Sequence, residues 1–316
     1  MKKIALQISP EAKAAYFSDF IKVAKKELLA VVGDITVNHI NKGSLNFFEL
    51  EIKHEDFERL LKLSFVQGIY AIDSELLQPL DITADFPLHD DFIFGSKFKG
   101  KTNERLTQML INVGLATINA KPEQGISLLD PMCGRATTLL WAMQYGIKAR
   151  GIEQDPKALE DIHRNLKKWT KLHRQKHKIS DGFIGGSKKN GKFIDFTSAD
   201  TGMRVVNGDA RNTNHIFKKE KFDLLISDLP YGVQHFTTDK TRNPLSVIKQ
   251  CIDAWKSCLK KRGAIVLAFN SNNPKRNALI EVFESNGFQT MSFSAPHRMS
   301  ESIIRDVIIF KLKGTI

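Results

Sequence analysis

Four times between Ile126 and Asp228 a mainly apolar run ends at, or just before, an acidic residue, and a turn or helix signal follows. Ser127-Leu128-Leu129 closes on Asp130, and Gly151-Ile152 closes on Glu153. Met203 to Asn207 leads to Asp209, and Leu224-Leu225-Ile226-Ser227 leads to Asp228. Runs of this length suit strands buried on both faces, and their alternation with helical patterns implies parallel βαβ units. Strands are expected at 127–130, 149–153, 203–207, 222–227, 264–270, 288–294 and 306–313. Helices are expected at 137–145, 156–169, 246–261 and 274–286. Thr102 is expected to cap a helix carrying Leu106, Met109, Leu110, Val113 and Leu115. The fold class is therefore α/β.

The first part of the chain has a different rhythm. A strand at Lys3–Ile8 precedes a helix opened by Pro10 and running to about Val32. Two strands, 35–40 and 45–52, flank the turn Asn41-Lys42-Gly43-Ser44. A helix follows with Phe57, Leu60, Leu61 and Phe65 on one face, and then a strand at 69–72. The order βαββαβ is that of a small ferredoxin-like α+β domain. The expected organisation is an N-terminal domain over 1–77, a linker over 78–100 and an α/β domain over 101–316 with a basic insertion at 163–200.

Charge singles out that insertion. The chain of 316 residues carries a formal charge of +12, yet His163 to Lys192 alone holds ten Lys or Arg against one acid, Asp181. Such concentration is the footprint of a polyanion partner, and Lys188, Lys189 and Lys192 are expected to contact its phosphates. No apolar stretch approaches the ~18 residues that a membrane helix needs, and no signal-peptide pattern stands at the start. The three cysteines form no metal-ligand spacing, and His173 and His177 have no third ligand near them in sequence. A reducing cytoplasmic setting without a metal is expected, and oligomeric state is left open.

The strand ends carry the chemistry. Asp130-Pro131-Met132-Cys133-Gly134-Arg135-Ala136 is a tight strand-to-helix turn of the kind that brings backbone N–H groups to a ligand. Glu153 stands 23 residues after Asp130, a distance at which a carboxylate accepts bonds from ribose hydroxyls. Asp155 caps the next helix. In Asp228-Leu229-Pro230-Tyr231-Gly232 a carboxylate precedes a fixed turn and an aromatic face. The motif resembles the [D/N]-P-P-[Y/F] signature of enzymes that methylate exocyclic amines; an aryl amine is a poor nucleophile, and a carboxylate that accepts its N–H bonds would favour the pyramidal nitrogen that attacks a methyl group.

These motifs resemble the D-P-x-C-G-x-G and D-L-P-[F/Y]-G signatures of THUMP-associated tRNA guanine-N2 methyltransferases. The resemblance runs from about Phe94 to Lys313, with Ala136 where the family has a second glycine. It implies a Rossmann-like, seven-stranded class I fold using S-adenosylmethionine (SAM). Asp130, Pro131, Cys133 and Gly134 would hold its methionine end, Glu153 its ribose, and Asp209 and Ala210 its adenine. Asp228, Leu229, Pro230 and Tyr231 would form the catalytic motif, with RNA, and tRNA in particular, as partner. The residues alone leave adenine N6 in DNA or RNA open as acceptor, as well as a SAM-fold RNA-binding protein without catalysis. A Rossmann dehydrogenase is disfavoured because G-x-G-x-x-G is missing.

Overall fold

The computed structural model describes residues 2–98, 101–120, 125–187, 191–230, 244–301 and 303–314. Two sheets organise them. The N-terminal sheet comprises β1 (Lys2–Ile8), β2 (Val37–Lys42), β3 (Leu45–Ile52), β4 (Val66–Asp73) and β5 (Leu76–Pro79), ordered β2-β3-β1-β4-β5 and antiparallel throughout. Without β5 this is the ferredoxin-like order. The expected linker begins later than the sequence implies, because Ser74 turns at φ 56 and lets Leu76–Pro79 pair with β4. So short and exposed a strand, ending in proline, has no periodicity of its own and sits at the edge, where a missing N–H is harmless.

The helix expected over 10–32 is two helices. Ser9 Oγ accepts the Glu11 N–H and starts α1 (Pro10–Tyr16), Phe17 takes a left-handed φ of 49, and α2 (Phe20–Val32) resumes after a 3₁₀ turn. The break packs that turn on a distant hairpin, where Asp19 Oδ2 accepts the Arg298 N–H at 3.3 Å. Tertiary contact outweighs propensity here.

After α3 (Phe57–Leu61) and α4 (Asp91–Phe94) comes α5 (Glu104–Thr117), capped by Asn103 rather than Thr102; Asn103 Oδ1 accepts the Leu106 N–H at 2.9 Å. Every residue from Leu106 to Leu115 is buried. One side of this helix meets α2 and the other meets the second sheet, so α5 joins the two units. A buried polar group marks the seam. Glu27 of α2 accepts from Ser64 N–H at 2.9 Å, from Ser64 Oγ, and from Asn112 Nδ2 of α5 at 2.7 Å.

The second sheet contains β6 (Ser127–Asp130), β7 (Lys148–Glu153), β8 (Lys178–Phe183), β9 (Lys192–Ser198), β10 (Thr201–Asn207), β11 (Phe222–Asp228), β12 (Leu259–Asn270), β13 (Phe288–Thr290), β14 (His297–Arg298) and β15 (Ile304–Leu312). Its order is β13-β15-β12-β11-β6-β7-β10-β9-β8, with β14 on β15. The strands β10, β7, β6, β11 and β12 are parallel; β15 runs against β12, and β13, antiparallel to β15, runs with the parallel set. The helices α6 (Thr137–Gln144), α7 (Pro156–Leu172), α8 (Thr213–Ile216), α9 (Pro244–Cys258) and α10 (Arg276–Ser285) connect them. This is the Rossmann-like layout of class I SAM methyltransferases with a small N-terminal α+β sheet before it. The basic segment adds β8 and β9 as an antiparallel extension beside β10. Those strands alternate weakly, because β8 is mostly exposed.

Candidate functional site

Strand order reverses at β6, with β7 on one side and β11 on the other, and the chain leaves the carboxyl ends of these strands in opposite directions. Ligands of open α/β sheets bind at that crevice. Asp130, Glu153, Asp209 and Asp228 all stand at the carboxyl ends of neighbouring parallel strands, so the fold brings them together.

The turn after β6 is tied down from both flanks. Asp130 is 2% exposed, and its Oδ1 accepts from Met132 N–H at 3.0 Å and from Ser227 Oγ at 2.8 Å. Burial raises its pKa to about 6, against the pull of hydrogen bonds from Thr138 and Ser227. Asp130 therefore fastens the turn to β11 across the switch point. Pro131 and Cys133 are buried as well. The Cys133 thiol lies against Gly151, whose Cβ would come 2.7 Å from Sγ and 2.6 Å from Leu139. Only glycine fits there. Cys133 thus offers the site its backbone, and its N–H is held by the Ile152 carbonyl at 2.9 Å.

Gly134 adopts φ 54 and Ala136 φ 66, both left-handed. The alanine that replaces the expected second glycine is accommodated at a cost of ~1–2 kcal/mol, with its methyl fully buried. A Cβ on Gly134 would meet nothing within 4 Å. The turn is open on that side.

Glu153 is the hub. Its Oε2 accepts the Gly134 N–H at 2.8 Å and its Oε1 the Asp155 N–H at 2.7 Å, while its carbonyl accepts the Gly208 N–H at 3.0 Å. Three strand-end loops meet at one residue. Burial raises its pKa, opposed by the Asp155 and Gly134 amides. A carboxylate has about four lone-pair sites, so capacity remains for the hydroxyls of a ribose. Asp155 caps α7 through Lys157 N–H, as expected. Asp209 caps the turn at Ala210 and pairs with Arg211 at 2.7 Å, and Ala210 is 9% exposed. The groups present are of the kinds that SAM needs: an open turn and two acids, Glu153 with lone pairs to spare and Asp209 held by Arg211.

At the end of β11, Leu229 is buried and its N–H bonds the Ala268 carbonyl at 2.9 Å. Asp228 Oδ2 lies 3.3 Å from Arg305 Nη2 of β15, with both side chains under 10% exposed. Pro230 is half-buried, and Tyr231 lies outside the described residues. Arg305 and Ser227 are site residues that no sequence motif marks. The one usable signal is Arg305-Asp306 inside the apolar run Ile303 to Phe310, since a charged pair in a buried strand needs a partner.

The basic hairpin opens at the same end of the sheet. Gly191, at φ 94, packs where a Cβ would strike the Asn207 carbonyl oxygen, and Lys192 starts β9 and faces Asp181 at 3.7 Å. Lys188 and Lys189 lie outside the described residues. His173 does not pair with His177. It meets His89 and Asp91 instead, with His173 Nε2 at 2.8 Å from Asp91 Oδ2. The two imidazoles stack at 3.5 Å and 11°. Lone pairs of parallel rings run side by side, so this trio is a poor chelate. No helix among the described residues is long and apolar enough to cross a membrane.

Several solved structures are similar to this chain. TrmN from Thermus thermophilus matches 88% of it with 14% identity and a TM-score of 0.47, and the chain spans 60% of that protein's length. A SAM-dependent methyltransferase from Clostridium acetobutylicum matches 71% of this chain and 96% of its own length, with 11% identity and a TM-score of 0.44. Magnesium protoporphyrin IX methyltransferase from Synechocystis, solved with bound SAM, matches 67% and 86%, with 13% identity and a TM-score of 0.40. No curated protein matches the sequence. Residues 103–294 match the family UPF0020, described as RMKL-like, methyltransferase domain. The chain belongs to that family, and its cofactor is SAM.

Proposed function

We propose that the protein transfers a methyl group from SAM to the exocyclic N2 amine of guanosine in RNA, with tRNA as the RNA class. The observation that carries this reading is the position of Asp228-Leu229-Pro230 at the switch point, one strand from the turn at Asp130. SAM supplies an electrophilic methyl group. Glu153 holds the ribose, the Asp209–Ala210 turn receives the adenine, and the turn from Asp130 to Gly134 seats the methionine end. Asp228 accepts an N–H of the target amine and orients its lone pair; as the N–C bond forms the C–S bond of SAM breaks, S-adenosylhomocysteine leaves, and the proton from nitrogen passes to the Asp228 carboxylate and on to water. Most of the rate comes from alignment, since an amine attacking a sulfonium needs little base catalysis.

Such a base must leave its stack, at a cost of a few kcal/mol that is least in loops and single strands. RNA is favoured over DNA because unstacked bases are the common RNA target, and because the basic hairpin opens beside the crevice. The test is transfer of label from SAM to unmodified tRNA, rRNA and DNA. Label in RNA, lost in Asp228→Ala while SAM affinity stays within about threefold, supports the reading. Label in DNA alone, or full activity in the variant, refutes it.

A further inference from the structure

A groove of about 280 Å³ lies between the segment Gly95–Phe98 and the outer face of α7, next to the SAM turn. It is smaller than the ~300–1,000 Å³ of pockets that enclose a whole small molecule. Lys97, Arg164 and Lys168 line it, with Asn165 among its walls. Its acid, Asp161, is already claimed by Arg135 at 3.4 Å and Arg164 at 3.6 Å.

Asn165 is only 9% exposed. Its Oδ1 accepts from Trp169 Nε1 at 2.8 Å and from Ser96 Oγ. An indole N–H can only donate, so the amide oxygen must face Trp169 and the amide NH2 must point the other way. Neither N–H of that NH2 has a partner among the described residues. The amide nitrogen is not sealed from solvent, so its two donors are free to meet water or an acceptor that enters the groove. Two donors beside Lys97, Lys168 and Arg164, the last shared with Asp161, suit an oxyanion. The groove also touches the SAM turn, because the Arg135 guanidinium, bound to Asp161, lies 5.9 Å from the Phe98 ring.

We propose that this groove is a phosphate subsite, built around the Asn165 amide, that takes a backbone phosphate of the RNA substrate. The inference rests on the RNA reading above and adds where the strand is gripped. RNA running along α7 would meet Lys97, Arg164 and Lys168 together, fixing its register relative to the crevice.

Asn165→Asp is the sharpest probe. A carboxylate still accepts from Trp169 and Ser96 but turns a donor into an anion. Binding of unmodified tRNA should weaken about tenfold or more, with SAM affinity unchanged. The triple variant Lys97→Ala/Arg164→Ala/Lys168→Ala should lower the slope of log Kd against log[salt] by ~0.7–0.9, the contribution of the one phosphate that is no longer neutralised. Wild-type affinity and slope in both variants would overturn the proposal. If RNA binding is unchanged but wild type binds inorganic phosphate and Asn165→Asp does not, the site serves free phosphate and the RNA assignment falls. A wild type that binds no RNA refutes the functional reading instead. Inorganic phosphate then judges the groove: binding abolished in Asn165→Asp upholds an anion site, and no binding overturns it.

Discussion

Glu27→Gln should remove a pH-dependent weakness from the seam between the two sheets. Glu27 is fully buried, and burial pushes its pKa from 4.5 up to about 7 despite hydrogen bonds from Ser64 and Asn112. Its folded form therefore holds a proton that the unfolded chain has already released. Stability from this group is fully present below about pH 4.5 and declines as pH rises towards 7. A shift of about 2.5 units at 1.36 kcal/mol each makes the loss about 3 kcal/mol. Gln fits the same partners: its carbonyl accepts from Ser64 N–H and Asn112 Nδ2, and its NH2 donates to Ser64 Oγ. Urea unfolding of both proteins at pH 5 and pH 8 measures the effect. The gap between variant and wild type should move in favour of Gln by about 2.5 kcal/mol between the two pH values, since part of the loss is already present at pH 5. Other groups, Asp130 included, titrate in both proteins and cancel. Parallel profiles would refute the assignment of a proton to buried Glu27.

Three further substitutions or treatments probe the crevice. Arg305→Met removes the guanidinium beside buried Asp228 and should cost about 3–5 kcal/mol in urea unfolding, with part restored by Arg305→Lys; a change under about 1 kcal/mol would show that the pair is not structural. Gly151→Ala drives a Cβ into Leu139 and Cys133, so unfolding free energy should fall by about 1–3 kcal/mol and SAM affinity should drop, as read by calorimetry. Burial pushes the Cys133 thiol far above its usual range and Cys251 up to about 12. With all three cysteines buried, iodoacetamide at pH 8 should label none before unfolding, by mass spectrometry; rapid labelling of Cys133 would mean that the turn opens.

Four of the parallel strands were legible because each is a mainly apolar run closed by an acid, and burial on both faces leaves no other pattern. The same logic placed Asp130, Glu153, Asp209 and Asp228 at neighbouring strand ends. What stayed hidden was set by distant contact. β5 and β8 are exposed edge strands without alternation, and the break at Phe17 exists to meet Arg298. The Asp228–Arg305 pair joins strands 77 residues apart. Asn165 reads as an ordinary helix residue until Trp169, one turn later, orients its amide. Side-chain direction follows packing, and packing is the part a single sequence states least.

Whether the chain methylates guanosine N2 in RNA is decided by nucleoside analysis of its product. Unmodified tRNA is incubated with labelled SAM, digested to nucleosides and resolved by mass spectrometry. Label in N2-methylguanosine is the expected result. Label in N6-methyladenosine would contradict the base assigned to Asp228-Leu229-Pro230-Tyr231, and SAM binding without label in any RNA nucleoside would contradict RNA methylation itself.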